Sequence, residues 1–297
     1  MVRWQLGLEG VEVAWDALAG LLEARGATVG CEAGPNGPRR IATFETLDRM
    51  NMDAVGAWLE GFQLDDVGLV TRMGDTGPWQ DGWRAIFQAA QVSPRLWVRP
   101  AWEAPVKGRL DIVIDPTHAF GAGFHPTTAG SLQLTDRVLG RLAQRGVAEA
   151  SVLDVGTGTG ILAIAAAHLG ARVVGIEVQA AACTDAAANA ALNGVANRVV
   201  VEHGNFRSTS EGDARVFDVV LANVLAGFLM RHAPAILAAA RHAIVLAGVD
   251  EDTESDVLTV YGVGTGATTL TDRFEDRGWV TLALARSALA ASDAFRS

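Results

Sequence analysis

One segment constrains the fold of this chain more than any other. An apolar strand candidate, SVLDV (residues 151–155), leads directly into the turn GTGTG (156–160) and then into an apolar helix candidate. Three glycines at alternate positions allow the backbone to turn sharply and to approach a ligand closely. The N-terminus of the following helix directs unpaired N–H groups at a carboxylate or a phosphate. We expect an anion-binding loop here; the alternative is a glycine turn that only lets the helix pack on the strand.

Strand and helix candidates keep alternating after this loop, as in a parallel sheet. The strand candidates cover residues 151–155, 172–176, 199–203, 217–222 and 243–247, and the helix candidates cover 161–169, 180–192 and 227–240. The alanine-dense segment within 180–191 fits a helix, because alanine is the best helix former. We predict an α/β fold with a Rossmann-like, doubly wound and mostly parallel sheet over residues 111–297.

The first part of the chain has a different pattern. Seven of the chain's eight tryptophans lie within the first 102 residues, which suggests two separately built units. Strand and helix candidates there follow the order βαββαβ, and GPNGP (34–38) predicts a hairpin turn. That order predicts a small α+β, ferredoxin-like domain over residues 1–72. Residues 73–110 are interpreted as a linker with a short helix at 79–90 and a strand candidate at 95–99.

Two acids flank the glycine turn. Glu177 ends the second strand, where doubly wound folds place an acid that binds both ribose hydroxyls, so an adenosine-containing cofactor is expected. Gly158, Gly160 and Ala163 also satisfy the relaxed dinucleotide pattern, which keeps NAD as an alternative. Asp154, just before the glycines, favours a ligand with an ammonium group, such as S-adenosylmethionine; alternatively, it caps backbone N–H groups of the turn.

The loop DPTHAFGAGFHPTT (115–128) precedes the first strand of the main sheet. Loops held on a rigid scaffold often carry function, and here Phe120 could cover the cofactor while Thr127 and Thr128 offer hydroxyl groups. For His125 we favour a helix N-cap before Pro126 over a catalytic role. A role for His118 stays open.

Asn223 follows a later strand, FDVVLA, at the edge of the sheet where open α/β folds hold their substrates. A side-chain amide there can accept a hydrogen bond from an amine. The alternative is an Asx turn that closes the strand. On its own this residue would be assigned to the turn; together with the other motifs it is a candidate catalytic residue.

Composition excludes several functions. The net charge of -10 and a pI near 5.1 argue against direct nucleic-acid binding. No segment has the roughly 18 uninterrupted apolar residues of a membrane helix. Cys31 and Cys183 have no Cys or His at metal-ligand spacing, so we expect neither a metal site nor a redox motif. The first residues do not look like a secretory signal, and a cytoplasmic protein is expected.

Four sequence blocks together resemble the bacterial ribosomal protein L11 methyltransferase family. The blocks are SPRLWVRPAWE (93–103), DPTHAFGAGFHPTT (115–128), VLDVGTGTGILAIAAAHLGARVVGIEV (152–178) and ANVLAGFL (222–229). The resemblance covers nearly the whole chain, and the order and spacing of the blocks are far more specific than the glycine motif alone. It implies a class I S-adenosylmethionine-dependent methyltransferase whose N-terminal domain recognises the substrate.

The resemblance also implies roles for individual residues. The residues that would contact S-adenosylmethionine are Phe120, Thr128, Asp154, Gly156, Gly158, Gly160, Glu177, Asn205 and Asn223. Phe120 would line its methionine end, and the turn EHGNF (202–206) would lie beside its adenine. The chain departs from the family pattern at Glu177 and Asn205, where aspartate is commoner, and at Ala122 and Phe124, where the family usually has threonine.

The implied reaction is methylation of lysine side-chain amines and of the N-terminal amine of a large-subunit ribosomal protein, L11. We expect the enzyme to act as a monomer, on the protein before its assembly into the subunit, and without a metal. A methyltransferase of the same fold with another protein or a small amine as substrate is an alternative, since it would keep every cofactor residue. An NAD-dependent dehydrogenase would use Glu177 but gives no role to Asp154 or Asn223.

Overall fold

The chain divides between Ile86 and Phe87 into two units. The computed structural model describes the backbone of residues 2–9, 27–34, 37–46 and 68–73 in the first unit. In the second unit it describes residues 89–114, 125–206 and 215–287. The division falls inside the segment 73–110 that the sequence assigns to a linker. The roles of the domains stay predictions.

The first unit contains a four-stranded antiparallel sheet. Its strands are β1 (Val2–Glu9), β2 (Ala27–Gly34), β3 (Gly37–Thr46) and β4 (Gly68–Met73), in the order β2-β3-β1-β4. As the GPNGP segment predicts, β2 pairs with β3, in a register that sets Gly34 opposite Gly37. The helices predicted at 11–25 and 53–62 lie outside the described residues, so the ferredoxin-like domain also stays a prediction.

A small three-stranded sheet opens the second unit. Its strands are β5 (Ala90–Gln91), β6 (Leu96–Pro100) and β7 (Leu110–Ile114). Strands β6 and β7 run parallel, and their alternate residues, such as Val98 and Ile112, are buried. Ala90, which the sequence places at the end of a helix, belongs to β5 instead and pairs with β6; the rest of that predicted helix up to residue 88 lies outside the described residues.

The described residues of the rest of this unit form seven strands and five helices. The strands are β8 (Ser151–Val155), β9 (Arg172–Glu177), β10 (Val199–His203), β11 (Phe217–Asn223), β12 (Ala240–Asp250), β13 (Thr268–Asp276) and β14 (Trp279–Arg286). The helices are α1 (Pro126–Gln144), α2 (Ile161–His168), α3 (Ala180–Leu192), α4 (Ala226–Ala239) and α5 (Glu254–Val260). Every strand and helix predicted between residues 151 and 247 is present, with bounds that differ by a few residues.

The sheet order is β10-β9-β8-β11-β12-β14-β13. Strands β8 to β12 are parallel to one another, whereas β14 is antiparallel to both β12 and β13. The predicted doubly wound, mostly parallel sheet is confirmed. Its strand order reverses at β8, since β9 and β10 follow on one side and β11 and β12 on the other. In such folds the ligand crevice lies beyond the carboxyl ends of the strands at this reversal.

Two polar connections join the small three-stranded sheet to helices α1 and α3. The carboxylate of Asp136 on α1 is nearly buried and accepts hydrogen bonds from Ser93 Oγ (2.5 Å) and Arg95 Nε (2.6 Å), which precede β6. At the end of α3, Asn193 exchanges two hydrogen bonds with the backbone of Val113 on β7, as a neighbouring strand would (2.7 and 2.6 Å). These contacts hold the small sheet against the helices, because a buried carboxylate requires partners of this kind.

Candidate active site

The glycine-rich loop between β8 and α2 has the backbone that its sequence predicts. Gly156, Gly158 and Gly160 have φ of +70°, +53° and +81°, in the left-handed region that favours glycine. A Cβ on Gly156 would lie 2.8 Å from Cγ1 of Val224, and one on Gly160 would lie 3.2 Å from Cβ of Ala186. These glycines therefore allow both the turn and the close approach of α3 and of the segment after β11.

The start of α2 is suited to an anion. Its N-cap, Gly160, has no side chain to cap the helix, and no acidic residue lies in its first turn. The first N–H groups of a helix have no partner within the helix, and its dipole favours negative charge there. A carboxylate or phosphate group of a ligand could therefore be bound at this point.

Glu177, the last residue of β9, is fastened to the glycine loop. Its Oε2 accepts a hydrogen bond from the backbone N–H of Gly158 (3.1 Å), and its Oε1 accepts one from the N–H of Gln179 (3.0 Å). The residue is only 9% exposed. Each carboxylate oxygen has a second lone pair, so the side chain can still accept hydrogen bonds from the hydroxyl groups of a ribose.

Asp154 lies in β8 next to Glu177 but in a different environment. It is 1% exposed, and its Oδ2 accepts a hydrogen bond from the hydroxyl of Thr157 (2.7 Å). Within the described part of the chain, its buried Oδ1 has no partner in hydrogen-bond geometry. Burial raises the pKa of Asp154 to about 6, with a smaller contribution from the charge of Glu177, while Thr157 and the backbone of Ala163 act against the rise.

Asn223 ends β11, and its side chain meets the first turn of α1. The amide nitrogen Nδ2 donates to the hydroxyl oxygen of Thr128 over 3.4 Å. Thr128 is fully buried. His125 is the N-cap of α1, because its ring nitrogen Nδ1 accepts from the N–H of Thr127 (3.3 Å) and Pro126 follows it. The N-cap expectation for His125 is confirmed.

For Asn205, another predicted site residue, the structure shows no side-chain hydrogen bond among the described residues and fixes only its position in the chain turn. The residue is exposed, between Gly204, whose N–H donates to the carbonyl of Glu177 (2.8 Å), and the buried Phe206. The turn is thus fixed beside the end of β9. Phe120, together with His118, Ala122 and Phe124, lies outside the described residues.

Two residues that shape the site, Thr157 and Gly248, are not among those predicted from the sequence. Thr157, inside the glycine motif, binds Asp154 through its hydroxyl and packs against Gly175 of β9. Gly248, near the end of β12, has φ of +83°, and a Cβ there would lie 2.1 Å from the carbonyl oxygen of Val224. Thr157 could have been found from its place inside the glycine motif, whereas nothing local in the sequence indicates the contact of Gly248 with Val224.

The described residues contain neither a candidate metal site nor a candidate membrane-spanning helix. Among residues 89–114, 125–206 and 215–287, no three His, Cys, Asp or Glu side chains are grouped so that they could hold a metal ion. None of the described helices has both the length and the apolar character that crossing a membrane requires.

Comparisons with known proteins agree on one family. Residues 41–287 match the sequence model described as "Ribosomal protein L11 methyltransferase (PrmA)". A protein named ribosomal protein L11 methyltransferase from Pelotomaculum thermopropionicum is 37% identical over 216 residues, which cover 72% of this chain and 67% of the relative. One from Myxococcus xanthus is 39% identical over 212 residues, 70% of this chain and 69% of the relative.

Among solved structures, the crystal structure of a ribosomal protein L11 methylase from Lactobacillus delbrueckii subsp. bulgaricus aligns with a TM-score of 0.57 at 29% identity. The alignment covers 67% of this chain and 99% of that chain. Together these matches confirm the resemblance drawn from the four sequence blocks.

Proposed function

The chain belongs to the ribosomal protein L11 methyltransferase family, and from that premise we propose that it transfers methyl groups from S-adenosylmethionine to lysine side-chain amines and the N-terminal amine of ribosomal protein L11. The observation that carries this proposal is that Asp154, Glu177 and Asn223 lie at or next to the carboxyl ends of three neighbouring strands of one sheet, where α2 begins without a side-chain cap on its N-cap residue. Such an edge is where open α/β folds bind ligands.

The residues of the site fit the chemical groups of S-adenosylmethionine. The N–H groups at the start of α2 would bind its carboxylate, and the unpartnered Oδ1 of Asp154 would accept from its ammonium group. Glu177 would bind the ribose hydroxyls, and Asn205 would lie beside the adenine. Phe120 would line the methionine end, and Thr128 would be a further contact to the cofactor.

When bound, S-adenosylmethionine supplies a methyl group that its sulfonium already makes electrophilic. The protein then has to align a neutral amine with that methyl group and exclude water. A lysine amine, with an ordinary pKa of about 10.4, has to lose a proton first, and a site of low dielectric beside a positive charge favours the neutral form.

We assign the orientation of the amine to Asn223. Its Nδ2 donates to Thr128, which leaves the side-chain oxygen Oδ1, or its backbone oxygen, to accept a hydrogen bond from the amine. Asn223 is partly exposed, so an amine can reach it, whereas Thr128 behind it is buried. The buried hydroxyl would hold the amide in one orientation.

We propose that the N-terminal domain, residues 1–72, recognises the substrate protein and that the acidic chain as a whole attracts this protein. The net charge of -10 favours encounter with a basic ribosomal protein, because long-range charge accelerates association. We propose that the enzyme acts as a monomer in the cytoplasm, on L11 before its assembly into the subunit and without direct contact with nucleic acid.

The proposal is tested by calorimetric titration of the purified chain with S-adenosylmethionine and, separately, with NAD. Incorporation of labelled methyl groups into isolated L11 is then measured, with another small basic protein as a control substrate. We expect binding of S-adenosylmethionine, no binding of NAD, and incorporation into L11 alone. Mass spectrometry of the product then identifies the methylated amines.

Each departure from this result has a distinct meaning. Binding of S-adenosylmethionine without incorporation into L11 would keep the chemistry but contradict the substrate. Binding of NAD alone would contradict the cofactor and the role of Asp154 together.

A further inference from the structure

The hydrogen bond from Thr157 makes the two carboxylate oxygens of Asp154 different. The threonine hydroxyl donates to Oδ2 over 2.7 Å. Oδ1, the other oxygen, is buried and has no partner in hydrogen-bond geometry among the described residues. Because a buried carboxylate oxygen without a partner is costly, this arrangement points to a ligand group that supplies the missing donor.

Thr157 is itself held from two sides. Its backbone N–H donates to the carbonyl oxygen of Ile176 on β9 (3.1 Å), and the N–H of Gly156 donates to the same oxygen (2.9 Å). Its side chain is 5% exposed and rests on Gly175 of β9. Thr157 therefore has a fixed position between β8 and β9.

Gly175 makes room for this threonine. A Cβ at Gly175 would lie 2.9 Å from Oγ1, 3.0 Å from Cβ and 3.1 Å from Cγ2 of Thr157. The first of these distances is shorter than real Cβ contacts allow, so the side chain of Thr157 would have to move. Since β9 has no side chain at this point, Thr157 can turn its hydroxyl toward Asp154.

We propose that Thr157 is a positioning residue that fixes the carboxylate of Asp154 so that Oδ1 is available to the ammonium group of the methyl donor. The inference rests on the proposed function, because it takes S-adenosylmethionine as the ligand. It assigns to Thr157 a specific task in recognition of the amino-acid part of that ligand, and none in recognition of its adenosine part.

The role of Thr157 should be visible in the pH dependence of ligand binding, because Thr157 affects the protonation of Asp154. Burial raises the pKa of Asp154 to about 6, and the hydrogen bond from Thr157 is the largest effect that opposes the rise. The charge of Glu177 on β9 raises the pKa of Asp154 further. On the other side of β8, the residue of β11 that pairs with Asp154 is the uncharged Leu221. Loss of the threonine hydroxyl therefore raises the pKa of Asp154 beyond its present value, and a protonated Asp154 attracts an ammonium group less.

The test compares two ligands that differ in the amino-acid part. S-adenosylhomocysteine carries the ammonium and carboxylate groups, whereas 5′-methylthioadenosine lacks both. Affinities are measured by calorimetry between pH 5 and pH 8 for the wild type, Thr157→Val, Thr157→Ser and the control Thr184→Val. Thr184 is an exposed threonine whose hydroxyl donates to the carbonyl oxygen of Ala180 within α3.

We expect Thr157→Val to bind S-adenosylhomocysteine about tenfold more weakly at pH 7.5, as loss of a hydrogen bond to a charged group predicts. Its affinity for 5′-methylthioadenosine should stay that of the wild type. The wild type loses affinity for S-adenosylhomocysteine as the pH falls below about 6, and in Thr157→Val this loss should begin about one pH unit higher. Thr157→Ser should restore both properties, and Thr184→Val should leave them unchanged.

A second variant, Gly175→Ala, displaces Thr157 without removing its hydroxyl and should cause the same selective loss. Equal loss of affinity for both ligands, with no change in pH dependence, would mean that Thr157 only stabilises the loop and would overturn the inference. Unchanged binding of S-adenosylhomocysteine by Thr157→Val would also overturn it. If the wild type bound neither ligand, the proposed function itself would fail, which is a different result from either.

Discussion

The side-chain nitrogen of Asn223 lies 3.4 Å from the hydroxyl oxygen of Thr128, which is 95 residues earlier in the chain. The contact joins the carboxyl end of β11 to the first turn of α1. It brings together two residues from separate family-like blocks, ANVLAGFL and HPTT, and it orients the amide that we assign to the reacting amine.

Replacement of Asn223 by alanine should lower kcat/KM for methyl transfer by about a hundredfold, since a misaligned amine loses much of the benefit of orientation. The unfolding midpoint should stay that of the wild type, because the residue is only partly buried. Asn197→Ala, at an exposed asparagine, is the matched control. Steady-state methylation of L11 measures the effect; a variant as active as the wild type would remove Asn223 from the reaction.

Asp154→Asn should stabilise the ligand-free protein at pH 8. The pKa of Asp154 is about 6 in the folded chain against an ordinary value of 3.8, so the folded state binds the proton more tightly. The resulting stability is present below about pH 4 and is lost as the pH rises to about 6. A neutral asparagine avoids this loss, which amounts to about 3 kcal/mol.

Urea denaturation at pH 4, 6 and 8 measures this difference. The gain of Asp154→Asn over the wild type should grow between pH 4 and pH 6 and stay constant above it. Asp252→Asn, at an exposed aspartate, should show no such growth. Parallel pH profiles for Asp154→Asn and the wild type would mean that the buried carboxylate does not titrate in this range.

Gly248→Ala should destabilise the protein by more than about 2 kcal/mol, because a left-handed alanine is strained and its Cβ would overlap the carbonyl oxygen of Val224. Gly194→Ala is the matched control: Gly194 also has a positive φ (+69°), but a Cβ there would meet open space among the described residues. This control should cost only about 1 kcal/mol. Denaturant unfolding of both variants distinguishes backbone strain from the clash.

Removal of residues 1–86 should leave binding of S-adenosylhomocysteine unchanged and abolish methylation of L11. The residues that we propose bind the cofactor all lie after Phe87, in a unit with its own buried core. Calorimetry and a methylation assay on the truncated chain check the two parts of the prediction. Normal methylation by the truncated chain would contradict a recognition role for the N-terminal domain.

Much of the site could be predicted because its signals are local. A strand, a glycine turn and a helix occupy consecutive residues, and Glu177 is recognised from its place at the end of the next strand. The same holds for His125, whose role as N-cap follows from Pro126 beside it. For such residues, hydrophobic periodicity and turn chemistry within about a dozen positions are sufficient.

The sequence does not predict strands β13 and β14, and for β14 the reason lies in its burial. Six consecutive residues of β14, from Val280 to Ala285, are buried, so the strand lacks the alternation that identifies a half-buried strand. A short apolar run of this kind cannot be told from a buried helix by its periodicity. Its antiparallel place between β12 and β13 depends on pairing across the sheet.

The sequence by itself determined the fold class, the glycine loop and the positions of Glu177 and Asn223, because each depends on residues close together in the chain. Only the tertiary structure decided which side chains and backbone atoms contact one another around the site. The pairing of Thr157 with Asp154, the space left by Gly175 and the contact of Gly248 with Val224 depend on strands that meet only in the folded sheet. Burial then raises the pKa of Asp154, and no linear motif encodes the dielectric around a side chain.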